Sequence, residues 1–197
     1  MQQLVTLSDN CFTHDELLVM ESKVCQLLQY NVNRVTPYHF LSLFLRASNA
    51  CKFDVCLYHN PELYHMVCYM LQLSRLSYYL SFSKPGLLTA ASLYLERVTL
   101  GLRDPGSTSF WTEQLEVCSG YNIKDIQKTV EILHDYQYEA TMDTSHTHAL
   151  FIKFSSETFH MVSTRAVHRK DELGFGSNVR DGVTKDEVWQ SDTLTES

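Results

Sequence analysis

Seven glycines and four prolines are few for a chain of 197 residues. That scarcity leaves little room for a protein made of many short strands and tight turns. No run of eighteen apolar residues occurs in the sequence, and the N-terminus has no basic stretch followed by an apolar core and a small-residue cleavage site. A soluble, intracellular protein without a membrane segment is the expectation. Positive charge is also short: 16 Lys and Arg stand against 23 Asp and Glu, a net charge of −7. A nucleic-acid binder relying on phosphate attraction carries the opposite balance. No Gly-x-Ser-x-Gly elbow, phosphate-binding glycine loop or His-Glu-x-x-His occurs, so the common hydrolase and nucleotide-binding chemistries have no foothold. Asp15, Glu16 and Glu21 share one helix, but carboxylates so placed serve as caps or solvated groups. The expectation is a non-enzyme without cofactor or small-molecule substrate.

The six cysteines, Cys11, Cys25, Cys51, Cys56, Cys68 and Cys118, form no dense framework and sit mostly among apolar neighbours. They read as reduced, buried thiols. Cys51 and Cys56 are followed by His59, His65 and Cys68, but a structural zinc site pairs two tight Cys-x2-4-Cys units, and that spacing is missing. His146 and His148 fall in a polar stretch and read as solvated. No metal is expected.

What is present is helical periodicity. Hydrophobic residues make up 44% of the chain and aromatics 12%, enough for a sizeable core. The aromatics fall mostly at helical core spacing, which disfavours a base-stacking platform. Thr13-His14-Asp15-Glu16 is a capping box, with Phe12 and Leu17 placed for a hydrophobic staple. It starts a helix running to about Tyr30 that buries Leu17, Met20, Val24, Leu27 and Leu28. Thr36 caps and Pro37 opens a helix to about Ser48 with Phe40, Leu41, Phe44 and Leu45 inward. Asn49 to Asn60 is an irregular link.

The most informative stretch is Tyr69 to Val98. Met66, Tyr69, Met70, Leu73, Leu76 and Leu80 recur at helical spacing, which predicts one long helix from about Pro61 to Leu80. Pro85, with its fixed φ and missing N–H, opens the next helix. That helix carries Leu87, Leu88, Ala90, Ala91, Leu93, Tyr94, Leu95 and Val98, apolar nearly all round, and must be enclosed by other helices. Its small quartet, Thr89 to Ser92, lets neighbouring backbones approach. Asp104-Pro105-Gly106 marks a loop. A short helix after Trp111 closes at Gly120, and Asn122 caps a helix carrying Ile123, Ile126, Val130, Leu133 and Tyr136. Asp143 to His148 reads as a loop, Ala149 to Phe154 as a short packed helix. From Lys170 to Ser197 the chain reads as a mobile, disordered tail, Trp189 included, with no Ser-Pro or Thr-Pro pair. The fold class is all-α, with five helices counted from Thr36.

In order, Tyr69-Met70-Leu71-Gln72-Leu73, Leu76-Ser77-Tyr78, Pro85 and Leu88-Thr89-Ala90-Ala91-Ser92-Leu93 resemble the second half of a mitotic A/B-type cyclin. Upstream, Phe12-Thr13 through Tyr30-Asn31-Val32 is similar to the last helix of the first cyclin repeat, and Thr36-Pro37-Tyr38-His39-Phe40-Leu41 to the start of the second. Downstream, Lys153-Phe154-Ser155-Ser156, Phe159 and Val162-Ser163 resemble the closing stretch. The match covers roughly residues 4 to 165. It implies a cyclin-like five-helix bundle, the C-terminal cyclin box, at 34–140. Before it lies a remnant of the N-terminal box at 1–33, and after it a closing segment at 141–169 and the tail at 170–197. Four helices of the first repeat have no counterpart, nor do the lysine and glutamate with which the family anchors its kinase. Gln72 and Ser77 stand where the family commonly places acidic residues.

The resemblance further implies a non-catalytic regulatory subunit of a cyclin-dependent protein kinase, acting in cell-cycle control in nucleus or cytoplasm. Leu4 and Leu7 occupy the place where the family presents apolar contacts to the kinase. They are the candidate partner-binding residues, and covering the 13–30 helix is their other reading. Two alternatives accompany it: a non-activating cyclin-repeat adaptor or competitor, and a repeat of the general-transcription-factor type. The second contacts DNA through basic surfaces, which the charge of this chain disfavours.

Overall fold

The structure is a computed structural model and describes residues 2–48, 60–103, 109–142 and 144–175. Every regular element among the described residues is helical. The chain divides into two compact units, Met1–Thr36 and Pro37–Ser197.

The first unit holds α1 (Gln2–Leu7) and α2 (His14–Leu27). The turn between them runs through Asp9 and Asn10, both in the left-handed region at φ 53° and 58°, which these short polar residues tolerate better than most. The capping box is present: Thr13 Oγ1 accepts from the Glu16 backbone N–H at 3.3 Å, and Glu16 Oε2 accepts from the Thr13 N–H at 2.9 Å. The helix ends earlier than its pattern suggests, with Gln29 and Tyr30 left-handed at φ 50° and 56°. One expectation is overturned. No residue of α2 is buried, although Leu17, Met20, Val24, Leu27 and Leu28 were expected inside.

The second unit is a bundle around one central helix. Its members are α3 (Pro37–Ala47), α4 (Pro61–Leu73), the one-turn α5 (Tyr78–Ser81) and α6 (Pro85–Thr99), then α7 (Glu113–Ser119), α8 (Ile123–Met142) and α9 (Thr144–Phe154). Helix α6 packs against α8, α3 and α4 more extensively than any other pairs in the unit. Every residue from Leu88 to Val98 is buried, as an all-round apolar helix requires. The small quartet acts as expected. Ala90 and Ala91 have no exposed surface, and the Thr89 hydroxyl donates to the Pro37 carbonyl at 2.8 Å, fastening α6 to the start of α3.

Local signals mark the ends of the helices. Pro37, Pro61 and Pro85 each open one, and Asn60 caps α4 by accepting from the Leu63 N–H at 2.9 Å. Gly120 closes α7 at φ 73°, in the left-handed region a glycine enters without steric cost. Asn122 Oδ1 accepts from the Lys124 N–H at 2.9 Å and starts α8.

Three boundaries differ from the sequence reading. The long helix expected to Leu80 stops at Leu73, passes through a 3-10 turn at Ser74–Leu76 and restarts at Tyr78. Ser77 is extended there, and its hydroxyl accepts from the Leu80 N–H, offering the backbone an alternative to the helical ladder. The loop expected from 143 to 148 is helical from Thr144, as the first turns of α9. The tail expected from Lys170 is seated as far as 175: Lys170–Leu173 form a 3-10 turn, and Leu173 is buried. The Tyr94 hydroxyl donates to the Leu173 carbonyl at 2.7 Å, Phe175 stacks on the Tyr94 ring at 5.2 Å, and Lys170 Nζ lies 2.7 Å from Asp135. The link at 49–59, the Asp104-Pro105-Gly106 loop and the remaining tail with Trp189 lie outside the described residues.

Candidate functional site

Leu4 and Leu7 lie on α1, one turn apart on one helical face, and both are exposed, Leu7 at 81%. They belong to a larger apolar display on the same unit. Phe12, Leu18, Val19, Met20, Val24, Leu27 and Leu28 are all exposed as well. Phe12, Leu17, Val19 and Met20 border an open groove rimmed by Asp15, Glu16 and Lys23.

The 13–30 pattern selected one apolar stripe, Leu17, Met20, Val24, Leu27 and Leu28, and missed Leu18 and Val19. Four apolar residues in a row, Leu17 to Met20, span all sides of a helix, and that run was the available signal. Isolated apolar side chains on a surface need no explanation, but a contiguous set of this size marks a surface that covers or is covered. Glu16 on its rim is held by the helix cap. The Thr13 backbone N–H and then the Thr13 hydroxyl hold its carboxyl below the ordinary 4.5.

The second unit also exposes apolar side chains, with Leu76, Tyr78 and Phe82 close in sequence, and it accounts for several residues weighed for chemistry. His65 sits among the rings of Tyr64, Phe159 and His160, with centroids 5.2–5.5 Å away. Burial, then the neighbouring His160, lowers its proton affinity, as suits a ring packed among other rings. Cys68 is buried and its thiol is pushed up to about 11 by burial, which leaves it protonated and unreactive. The expectation of buried thiols fails elsewhere: Cys11 is exposed, and Cys25 and Cys118 are half-buried. Cys51, Cys56 and His59 lie outside the described residues. No group of three metal-ligating side chains gathers among the described residues, and no helix among them is long and apolar enough to cross a membrane.

The last residues of the closing segment are tied to the bundle at two places. Arg165 pairs with Glu62 at the start of α4. The His134 imidazole donates through Nε2 to the His168 carbonyl at 2.6 Å, and His168 in turn donates to the Thr99 carbonyl at 3.2 Å. Asp135, beside His134, raises the proton affinity of that imidazole.

Comparison with known proteins agrees with this architecture. Residues 35–167, more than half of the chain, match the family model "Cyclin, C-terminal domain". Among curated relatives, G2/mitotic-specific cyclin-1 of Antirrhinum majus is 28% identical over 133 residues, 68% of this chain and 25% of the relative. Cyclin-A3-3 of Arabidopsis thaliana is 28% identical over 174 residues, 88% of this chain and 50% of the relative. Cyclin-B1-5 of Oryza sativa subsp. japonica is 27% identical over 165 residues, 84% and 33% respectively. The chain thus spans between a quarter and a half of the length of these relatives. An enclosed small-residue helix ringed by α3, α4 and α8, together with the domain match across it, makes this chain a member of the cyclin family.

Proposed function

We propose that this chain is a non-catalytic regulatory subunit that binds a cyclin-dependent protein kinase through the apolar face of its first unit, with Leu4 and Leu7 among the anchors. Membership of the cyclin family supports the partner class. The observation that carries the choice of surface is the concentration of exposed apolar side chains on α1 and α2. Such a surface gains by desolvation against a complementary apolar patch, and a few anchors carry most of the binding energy. Regulation then follows from differential affinity: a subunit that binds the active kinase conformer better than the inactive one shifts the population toward it. Cell-cycle control, in the nucleus or cytoplasm, is the setting this reading implies.

The test is a pulldown of a cyclin-dependent kinase by the full chain, followed by a kinase assay on the complex. Replacing Leu4 and Leu7 together by Ser should weaken capture by about tenfold or more, the loss of two interface anchors, with circular dichroism and melting temperature unchanged. Capture equal to that of the unsubstituted chain would remove Leu4 and Leu7 from the interface. Capture without stimulated activity would make the chain an adaptor or competitor instead of an activator.

A further inference from the structure

Glu96 lies in the middle of the enclosed helix α6 and has no exposed surface. Its Oε1 accepts from the Gln137 side-chain amide of α8 at 3.4 Å. The other carboxyl oxygen, Oε2, has no hydrogen-bond partner, and neither does Gln137 Oε1. Two more unpartnered polar atoms lie nearby: the hydroxyl of Ser92, one turn earlier on α6, and that of Tyr69 on α4, whose proton affinity responds to Glu96. Buried polar atoms are normally satisfied, and a set of orphans at the meeting of three helices requires a reason.

Among the described residues, no cation neutralises Glu96. Arg97, next on the same helix, gives its guanidinium to the Ser48 carbonyl at 2.9 Å and the Phe110 carbonyl at 3.0 Å. His134, nearly one turn before Gln137 on α8, is committed to the His168 carbonyl, and Lys153 of α9 reaches Gln72. On α3 the titratable groups are Tyr38, His39 and Arg46, and α7 offers Glu113, Glu116 and Cys118; none of these changes the proton affinity of Glu96, which burial pushes up to about 8. An ionised carboxylate here would be a buried charge with one long hydrogen bond, a costly arrangement. A protonated one is a donor. It then complements the unpartnered acceptor of the same amide that already donates to it.

We propose that Glu96 is a neutral carboxylic acid paired with Gln137 through two hydrogen bonds, Nε2–H to Oε1 and Oε2–H to Oε1 of the amide, and that loss of this single proton to solvent loosens α6 from α8. The pair is a pH-sensitive latch inside the cyclin bundle, and it does not depend on kinase binding. Its sign is fixed. A carboxyl whose folded value is raised contributes most below the ordinary value of 4.5, and its contribution falls as pH rises toward about 8, then levels off.

The test compares the full chain with Glu96→Gln, which keeps the shape and a neutral side chain but removes the titrating proton. The ratio of their unfolding constants should change by about tenfold per pH unit between pH 6 and 7.5 and become flat above pH 9. Parallel stabilities across that range would overturn the proposal. Should Glu96→Gln not fold, carbon NMR of the unsubstituted chain decides: a side-chain carboxyl with a midpoint near 8 supports the latch, and all carboxyls titrating near 4.5 sink it. The Gln137 side-chain amide signals should move with the same midpoint. If they stay fixed while Glu96 titrates, the pairing is wrong.

Discussion

Helices α2 and α6 are of similar length and rich in apolar residues, yet α6 is buried from Leu88 to Val98 and α2 is buried nowhere. Their supports are opposite in kind. Helix α2 has a complete capping box and two acids in its first turn, so its stability is local. Helix α6 has no side-chain cap at Lys84 and draws on packing against α3, α4 and α8. Apolar content therefore does not decide burial. The small residues of α6 let three helices close over it, while α2 displays its large ones. In this chain α6 is the helix around which the second unit packs, and α2 exposes its apolar side chains to solvent.

The difference can be tested most directly by removing the same atoms from both helices. Leu93 of α6 has no exposed surface, whereas Leu27 of α2 is 84% exposed. Leu93→Ala should cost about 2–5 kcal/mol of unfolding free energy through lost transfer energy and a cavity. Leu27→Ala should stay within about 0.5 kcal/mol. Urea titration followed by circular dichroism measures both. Equal costs would show that α2 is covered after all and would erase the contrast. The polar side of α6 gives a second, smaller step. Arg97→Met keeps most of the side-chain volume but strips the Ser48 and Phe110 carbonyls of their donor. The expected cost is about 2–4 kcal/mol, set by the carbonyl groups left unsatisfied.

Much of the frame was legible because its signals are local. Pro37 and Pro85 fix helix starts, Gly120 a helix end, and the unbroken apolar surround of Leu88 to Leu95 demands enclosure. The cyclin motifs set these in order. What could not be read is nonlocal. Glu96 and Arg97 look like a solvated pair at the end of an apolar run, and only the closure of α3, α4 and α8 removes them from water. Leu173 and Phe175 are two apolar residues in a polar stretch, and Tyr94, which meets both, lies 79 positions before Leu173. The break at Ser77 was hidden by apolar spacing that continues through it, although a serine able to cap Leu80 was the clue. For the candidate surface, the strip at Leu4 and Leu7 was visible, but the full display was not, because a one-stripe reading of α2 sends its best residues inward.

The smallest effect isolates the local support of α2. Thr13→Ala removes the acceptor for the Glu16 N–H, along with the hydroxyl that donates to Glu16 Oε2 at 2.9 Å. It should lower helix stability by about 1 kcal/mol. Amide exchange in 14–18 would then quicken by about fivefold, with no change in α6. Acid should act on the same contact from the other partner. The folded Glu16 carboxyl lies below its ordinary 4.5, so its contribution is complete above 4.5 and fades as pH falls through the lowered value, when protonation removes the charge that the Thr13 N–H and hydroxyl favour. Exchange in α2 should therefore quicken below pH 4.5 in the unsubstituted chain and show a weaker pH dependence in Thr13→Ala. Identical acid responses in the two chains would mean that α2 is held by something other than its cap. The locally supported half of the comparison would then fail.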